Sequence, residues 1–362
     1  MEYRRLGNTG LIVSAVGLGT MQFGTGMNMG NLNQQETSEM VRCALDHGIN
    51  FIDTADVYSQ GESEKLVGNA IKDIREDIVL ATKVRLPMGE NFNHSGAHRV
   101  NIMRECDASL RRLGTDYIDL YQVHGWDSNT PLEETLRTLD DLVRRGKVRY
   151  IGLSNYQAWQ AATALGIQEN YTLEKFVSAQ MYYSLVGRDL EHAWMSFAEY
   201  HNIGLLIWSP LAGGFLAGKY SRENPPGKGT RFAEAGQFVP FDLERGFDIL
   251  QALRKVANRH GVSPARTALA WTLSRPMVSS VLIAARNQDH LNDNIQAVDL
   301  PLSEMDFQLL NGISDPGTPY PKWMVLQLDQ TEDPRPKVLN PHRYERGGPW
   351  EDLRFRKSSL EK

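Results

Sequence analysis

Short runs of apolar, β-branched residues alternate with longer stretches of helical periodicity along most of the chain. Eight runs predict strands: Ala15–Gly19, Phe51–Asp53, Ile78–Lys83, Tyr117–His124, Tyr150–Ser154, Val177–Gln180, Leu205–Trp208 and Ser280–Ile283. Between and after them, apolar residues recur every three to four positions, which predicts helices. These are Gln35–His47, Glu62–Ile74, Val100–Leu113, Leu132–Arg145, Gln157–Leu165, Leu190–Tyr200, Leu243–His260 and Gln288–Ala297.

Regular strand–helix alternation favours parallel pairing, because a parallel strand pair needs a crossover connection. Eight such units predict an α/β fold, the closed (β/α)8 TIM barrel. Periodicity leaves a long, open, doubly wound sheet as the alternative. Helix ends are marked by Gly48, Gly114 and Gly146, each where a left-handed residue is expected. Ser263-Pro264 is typical of a helix start and predicts an additional helix reaching towards Ser274.

Two segments interrupt this alternation. The stretch Leu211–Asp242, after the seventh strand, is long for a connection and rich in glycine and phenylalanine, which is typical of a lid or binding loop. The tail from Asp315 is rich in proline and has little periodicity. We expect one barrel domain over residues 1–325. Residues 326–362 are expected to form a partly mobile C-terminal extension of the same domain.

Composition narrows the class of protein. The 362 residues carry a net charge of −5, so a broad nucleic-acid-binding surface is not expected. The first ten residues have no apolar segment of a secretory signal, and the least polar run, Ile203–Gly218, is too short to span a bilayer. Cys43 and Cys106 lie far apart in helical stretches, which predicts reduced thiols. We expect a cytoplasmic protein without a metal site or membrane partner. The sequence is compatible with a homo-oligomer but does not fix the oligomeric state.

Polar and aromatic residues fall where the predicted strands end. In a parallel barrel these ends and the loops after them form one face, which carries the active site. Tyr58 lies five residues beyond the second strand, on its loop. The residues at the strand ends themselves are Asp53, Lys83, His124, Ser154, Asn155, Gln180 and Trp208. Each alone fits a structural role, but their joint placement predicts a shared active site.

These residue types suit proton-coupled hydride transfer. A tyrosine ordinarily has a pKa of about 10, and a nearby lysine cation such as Lys83 lowers it. A carboxylate such as Asp53 keeps that lysine charged and oriented. His124 can hydrogen-bond a carbonyl oxygen on which negative charge develops. Trp208 offers a flat face to a nicotinamide ring.

Several segments, taken in order, make the sequence recognisable. They are Leu6–Gly10 with Gly17–Thr20, Phe51–Tyr58, Ala81–Lys83, Gln122–His124, Gly146–Asn155 and Trp208–Leu211. With them the chain resembles the aldo-keto reductase superfamily from about Tyr3 to Met324. The resemblance implies a barrel whose N-terminal end is plugged by a hairpin, here Tyr3–Ser14. It also implies a catalytic tetrad, which falls on Asp53, Tyr58, Lys83 and His124.

The resemblance further implies a nicotinamide cofactor, NADPH more often than NADH, bound across the barrel mouth without a Rossmann fold. Arg286 then suits a 2′-phosphate, because a guanidinium matches phosphate oxygens with paired donors. Ala284, His290 and Asp293 depart from the usual family residues. The cofactor positions it implies are Gly19, Thr20, Met21, Asp53, Ser154, Asn155, Gln180, Trp208, Ser209, Pro210, Leu211, Gly213, Lys219, Ile283, Ala285, Arg286, His290 and Asn294.

The expected function is reduction of aldehyde or ketone carbonyls, or the reverse, by direct hydride transfer with Tyr58 as general acid/base. The substrate pocket is expected to contain Met21, Phe23, Val57, Tyr58, Arg85, His124 and Trp126. A regulatory subunit of the potassium-channel β-subunit type, binding cofactor with little turnover, is the alternative. Two nucleotide-binding motifs fail: Gln22 replaces the third Rossmann glycine, and Tyr220 the Ser or Thr of a P-loop.

Overall fold

The eight predicted strands all form, and they close into a barrel in a computed structural model that describes residues 1–25, 31–227, 239–285 and 287–328. A two-stranded hairpin, β1 (Tyr3–Arg5) and β2 (Ile12–Ser14), precedes them. The barrel strands, each parallel to its neighbours, are β3 (Val16–Gly19), β4 (Phe51–Asp53), β5 (Val79–Val84), β6 (Ile118–Val123), β7 (Val148–Ser154), β8 (Phe176–Tyr182), β9 (Gly204–Trp208) and β10 (Val278–Ile283). β10 pairs with both β3 and β9, which completes the circle and confirms the closed barrel over the open sheet.

The predicted helices also form, with shifted ends. The first six are α1 (Gln34–Asp46), α2 (Glu62–Ile71), α3 (Arg99–Leu113), α4 (Leu132–Arg144), α5 (Ala158–Asn170) and α6 (Trp194–His201). They are followed by Leu243–His260, Pro264–Leu273, Gln288–Ile295, Glu304–Ile313 and Lys322–Leu328. Short 3-10 turns span Tyr58–Gly61, Arg75–Asp77, Asp189–Glu191, Ala212–Ala217 and Gln296–Asp299. Gly48, Gly114 and Gly146 have φ of 82°, 63° and 72°, the left-handed conformation that was expected of them.

Side-chain caps fix where several helices begin. Asn33 accepts a hydrogen bond from the backbone of Glu36, and the Glu36 carboxylate accepts one from the backbone of Asn33, so this capping box satisfies two amides at the start of α1. Ser263 caps the helix that starts at Pro264, as its sequence predicts.

The barrel has an apolar layer at its N-terminal side and a polar layer above it. Phe51, Val79, Ala81, Leu120, Leu206 and Leu282 form one interior cluster. Side chains two positions apart on a strand share a face, so the next inward residues follow directly. Phe51 is thus succeeded by Asp53, Ala81 by Lys83, Leu120 by Gln122 and Leu206 by Trp208. Strand alternation itself therefore places the polar groups at the C-terminal mouth.

The N-terminal hairpin closes the opposite end of the barrel. Its Leu6 and Val13 are fully buried and belong to the interior cluster. Arg4 donates hydrogen bonds to the carbonyls of Leu273 and Val278, which lie before and at the start of β10. Gly7, at a φ of 56°, lies so close to Val177 and Gly204 that a Cβ would meet their backbone atoms. The hairpin is therefore a packed plug.

Two helices near the C-terminus were not predicted. Ser303 precedes the helix Glu304–Ile313, and its side chain forms a capping box with that of Asp306. Hydrophobic periodicity does not detect this signal. Lys322–Leu328 lies in the proline-rich tail, where little periodicity was found and no helix was predicted. Its sequence holds no proline, and Pro321 immediately precedes it, which is favourable at a helix start.

The long loop after β9 is partly described. Residues 211–227 and 239–242 are placed, including the 3-10 turn Ala212–Ala217, whereas 228–238 lie outside the described residues. None of the described helices combines the length and apolar character that crossing a bilayer would need. Cys43 and Cys106 are both free thiols, as expected.

Two glycines in outer helices test the packing. An alanine at Gly68 in α2 would bring Cβ to 2.4 Å from the Leu113 carbonyl oxygen, whereas one at Gly166 in α5 meets nothing within 4 Å. We expect Gly68→Ala to lower the free energy of unfolding by about 1–3 kcal/mol through overpacking. The matched Gly166→Ala should raise it by about 0.5–1 kcal/mol, because alanine favours the helix. Thermal or urea unfolding of both variants measures this, and equal effects would contradict the α2–α3 contact.

Candidate active site

Unusual backbone geometry is concentrated at the C-terminal mouth of the barrel. Among the described residues, eight that are not glycine have positive φ, and two of them, Thr172 and Asn202, follow helices α5 and α6. The remaining ones all lie in loops that follow strands: Ser59, Gln60, Arg85, Asn155, Ser209 and Ala212. Such conformations cost free energy and persist where the surroundings fix them, which is common at functional sites. These conformations therefore indicate that the functional site lies at the mouth.

Lys83 is the buried centre of this mouth. Its side chain is 0% exposed, and its ammonium lies 2.5 Å from a carboxylate oxygen of Asp53. The same Nζ donates to the carbonyl of Thr54 at 2.8 Å and lies 3.5 Å from the Tyr58 hydroxyl. Burial alone would lower the pKa of Lys83, but the charges and hydrogen bonds of Asp53 and Tyr58 together outweigh it and raise the pKa. The lysine is therefore held as a cation directed at Tyr58.

Asp53 is itself held by two glutamines. Gln122 and Gln180 donate to its second oxygen, Oδ2, at 3.0 and 2.8 Å. Gln180 had been assigned to the cofactor, and here its amide nitrogen supports the ion pair. Gln122 was missed as a site residue, although it is two positions before His124 and so faces the same interior. These bonds leave both carboxylate oxygens of Asp53 occupied and fix the orientation of Lys83.

Tyr58 is half-buried on the loop after β4. Burial raises its pKa, and the opposing charge of Lys83 does not reverse this shift. The net direction therefore differs from the lowering expected from the lysine alone, because the sequence could not show how far the phenol is removed from water. With a raised pKa, Tyr58 keeps its proton at neutral pH. The hydroxyl is thus available as a proton donor.

His124 completes the predicted tetrad. Its ring lies 6.0 Å from that of Tyr58, centroid to centroid, in an edge-on arrangement. Burial, assisted by the positive charges of Lys83 and Arg85, lowers its pKa to about 3. Nδ1 is buried without a hydrogen-bond partner among the described residues. The structure thus brings Asp53, Lys83, Tyr58 and His124 together around one point, with the imidazole neutral.

Three predicted cofactor residues lie at the C-terminal ends of β7 and β9. Asn155, at a φ of 54°, donates to the carbonyl of His124 and accepts from the indole of Trp208 at 3.2 Å. Trp208 is half-buried, with its ring centroid 5.3 Å from that of Tyr182. Ser154 donates to the carbonyl of Gln180 at 2.8 Å, which ties β7 to β8. The hydrogen bond to Asn155 and the packing against Tyr182 fix the orientation of the Trp208 indole at the end of β9.

The remaining predicted cofactor positions occupy the rim. Gly19 ends β3, and Thr20 donates to the Asp53 carbonyl, with Met21 half-buried after it. Past β9, Ser209 at a φ of 51° accepts from the amide of Gly213 at 3.0 Å. The turn that this bond closes also contains Pro210 and Leu211. Lys219 is exposed, its ammonium 4.9 Å from the centroid of the Tyr220 ring.

The segment after β10 is described in part. Ile283 ends the strand and Ala285 is buried, but Arg286 lies outside the described residues. In the helix Gln288–Ile295, His290 is exposed and Asn294 is buried. Asp293 does not face the mouth, because it forms an ion pair with Arg266 at 2.6 Å and accepts from Ser263.

The predicted substrate residues divide into two groups. Phe23 and Val57 are buried and back the wall of the mouth. Trp126 and Arg85 are half-buried beside His124, and Trp126 packs edge-on against Tyr156 at 5.2 Å. Among the described residues, no group of three or more His, Cys, Asp or Glu side chains is arranged to hold a metal ion.

A closed parallel barrel with a buried aspartate–lysine–tyrosine chain and a histidine at its mouth defines a class of oxidoreductase. The sequence profile of the Aldo/keto reductase family matches residues 15–315. The chain belongs to the aldo/keto reductase family.

Relatives match nearly the whole chain. It is 34% identical to versiconal hemiacetal acetate reductase of Aspergillus parasiticus, over 86% of this chain and 96% of that protein. It is 36% identical to the uncharacterized oxidoreductase YrpG of Bacillus subtilis, over 86% and 96%. It is 35% identical to a probable voltage-gated potassium channel subunit beta of Arabidopsis thaliana, over 83% and 92%.

The neutral state of His124 can be observed directly. Its pKa is about 3, against an ordinary 6.5, so its ring NMR signals should not titrate between pH 5 and 8. In urea the same ring should titrate near its ordinary value. Below pH 6.5 His124 is protonated in the unfolded chain but not in the folded one. Acidification through this range should therefore lower the contribution of His124 to the free energy of unfolding. A native midpoint between 6 and 7 would refute the buried, neutral imidazole.

Proposed function

We propose that the protein is an NADPH-dependent reductase that converts aldehyde or ketone carbonyls to alcohols, or the reverse, with Tyr58 as general acid/base. The observation that carries this proposal is the chain of contacts from Asp53 through Lys83 to Tyr58, at 2.5 and 3.5 Å. A fixed buried cation beside a phenol that holds its proton is suited to protonating a developing alkoxide.

Each residue has a distinct part in this reaction. The Tyr58 hydroxyl gives its proton to the carbonyl oxygen, and Lys83 stabilises the phenolate that is left. Asp53, held by Gln122 and Gln180, keeps Lys83 charged and in place. Neutral His124 hydrogen-bonds the same carbonyl oxygen and orients it. The reduced nicotinamide, when bound, supplies the hydride.

The residues of the mouth fit such a cofactor. The half-buried indole of Trp208 presents a ring beside the catalytic groups, and Asn155 fixes it by a hydrogen bond. Ser209, Leu211 and Gly213 form a tight turn past β9 that we assign to the pyrophosphate, with Lys219 nearby. Gln180 keeps its carbonyl oxygen for the nicotinamide carboxamide, because its nitrogen is committed to Asp53. We assign the 2′-phosphate to Arg286 and the adenosine side to His290 and Asn294.

A regulatory role is the second candidate. It is favoured by the likeness to a probable potassium channel subunit beta of Arabidopsis thaliana. The ordered catalytic contacts favour turnover instead, since cofactor binding alone requires no proton donor. We further propose a cytoplasmic location and a small-molecule substrate, with no nucleic-acid or membrane partner.

Replacing Tyr58 by phenylalanine tests the proposal. The ring keeps its shape and loses the proton donor, so reduction of a generic aldehyde should fall by about 10²–10⁴-fold in kcat. NADPH affinity, measured by fluorescence titration, should change little. The wild type serves as the control against the regulatory role: if it binds NADPH but turns over no member of a broad carbonyl panel, the enzymatic proposal fails. A variant that retains more than about a tenth of wild-type kcat would place the acid elsewhere.

Arg286 tests the choice of cofactor. Hydrogen bonds to charged partners contribute about 1.5–3 kcal/mol each, so Arg286→Ala should weaken NADPH at least about tenfold. NADH, which lacks the 2′-phosphate, should lose little affinity. Titrations of both cofactors against wild type and variant measure the difference. Equal weakening of the two would show that Arg286 does not read the phosphate.

A further inference from the structure

A cavity of about 420 Å³ lies among the loops at the C-terminal ends of β5 and β6, the strands that lead to Lys83 and His124. It lies between the loop after β5 and the loop after β6, and Arg85 forms part of its wall. Small-molecule sites commonly have volumes of about 300–1,000 Å³. Phe92, at the rim of this cavity, is 98% exposed. The cavity is large enough to take the part of a substrate that extends away from its carbonyl.

The cavity is built by internal hydrogen bonds of its two loops. Gly96 donates to the carbonyl of Arg85 at 2.8 Å, so the first loop folds back on its own start. Ala97 then donates to Asp127 of the second loop at 2.7 Å. Arg85 is held at a φ of 132°, far from the conformation that a non-glycine residue prefers. The loops thus fix the backbone from which the guanidinium projects.

Arg85 forms no ion pair in the described part of the chain, although its charge helps to lower the pKa of Asp127 across the cavity. Its one hydrogen bond runs from Nη2 to the carbonyl of Trp126 at 3.1 Å, and Nε is buried without a partner. A neutral carbonyl does not balance a guanidinium, which offers five N–H donors and accepts nothing. The positive charge of Arg85 also contributes to the lowered pKa of His124, so the guanidinium is near the reacting groups.

The acidic residues of the cavity wall are already engaged. Asp127 accepts from the amides of Ala97 and Asn129 and from the Thr130 hydroxyl. Glu134 accepts from the amide of Arg99 at 3.0 Å. These carboxylates tie the loops together. Arg85 is the guanidinium of this wall, and none of the described carboxylates forms an ion pair with it.

We propose that this cavity is a subsite for a carboxylate, and that the preferred substrates are aldehydes or ketones carrying a carboxylate on the chain beyond the carbonyl. The inference rests on the proposed reductase function, because it assumes that the carbonyl lies between Tyr58 and His124. A carboxylate matches the guanidinium in shape and charge, with two oxygens facing two N–H groups. Arg85 would then be the residue that sets substrate choice.

Formyl carboxylates of increasing length, each paired with its methyl ester, test the subsite. Succinic semialdehyde and 4-carboxybenzaldehyde are two such acids. The ester keeps nearly the same shape and removes the charge. For at least one length, the wild type should reduce the acid with a kcat/KM at least about tenfold above that of the ester, mainly through KM. The preference should shrink as sodium chloride is raised, because the interaction is ionic.

Variants of Arg85 test whether this residue causes the preference for the acid over its ester. Arg85→Gln should bring the acid-to-ester ratio close to one, and Arg85→Lys should keep an intermediate ratio, since it retains charge without paired donors. Arg145→Gln is the matched control: Arg145 is exposed at the far end of the barrel, and the same charge change there should leave the ratio unaltered. Thermal unfolding checks that each variant is folded.

The outcomes separate the two proposals. Wild-type ratios near one at every length would overturn the carboxylate subsite and leave the reductase proposal standing, and this measurement needs no variant. A preference that survives Arg85→Gln would overturn the assignment to Arg85. If neither acids nor esters are reduced, the reductase function fails together with the subsite that depends on it.

Discussion

The buried ion pair between Lys83 and Asp53 is the constraint on which the mouth of the barrel depends. An ammonium with no exposure to water is tolerated only where an anion and hydrogen-bond acceptors replace its hydration. Asp53 supplies the charge and the Thr54 carbonyl a further acceptor. Gln122 and Gln180 satisfy the remaining carboxylate oxygen, so strands β4, β5, β6 and β8 meet at one cluster. Reactivity at Tyr58 is thereby tied to the closure of the barrel.

Strand periodicity predicted much of this arrangement. The inward-facing positions at the ends of β4, β5, β6 and β9 could be read directly, and with them the meeting of Asp53, Lys83, His124 and Trp208. Tyr58 could be placed on the loop after the second strand, but its membership of the tetrad came from the family resemblance, because a loop residue has no periodicity that fixes its direction. The closed order of the strands required the structure, since alternation alone fits an open sheet as well.

Other features depend on burial and partners, which a sequence does not show. The pKa of Tyr58 is raised because desolvation exceeds the effect of Lys83, a balance that needs the fold. Gln122 was not predicted as a site residue, because an amide within an apolar strand is equally typical of a core residue without a role in the site. That Arg85 forms no ion pair among the described residues follows only from knowing where each carboxylate of the adjoining loops is bonded. By contrast, the helix Glu304–Ile313 was predictable from its capping residues.

The hairpin plug has a consequence for how ligands enter and leave the barrel. Leu6 and Val13 fill the N-terminal end of the barrel interior, so within the described residues ligands can reach the polar layer only from the C-terminal mouth. A molecule bound across that mouth would therefore slow the exit of another bound deeper in it.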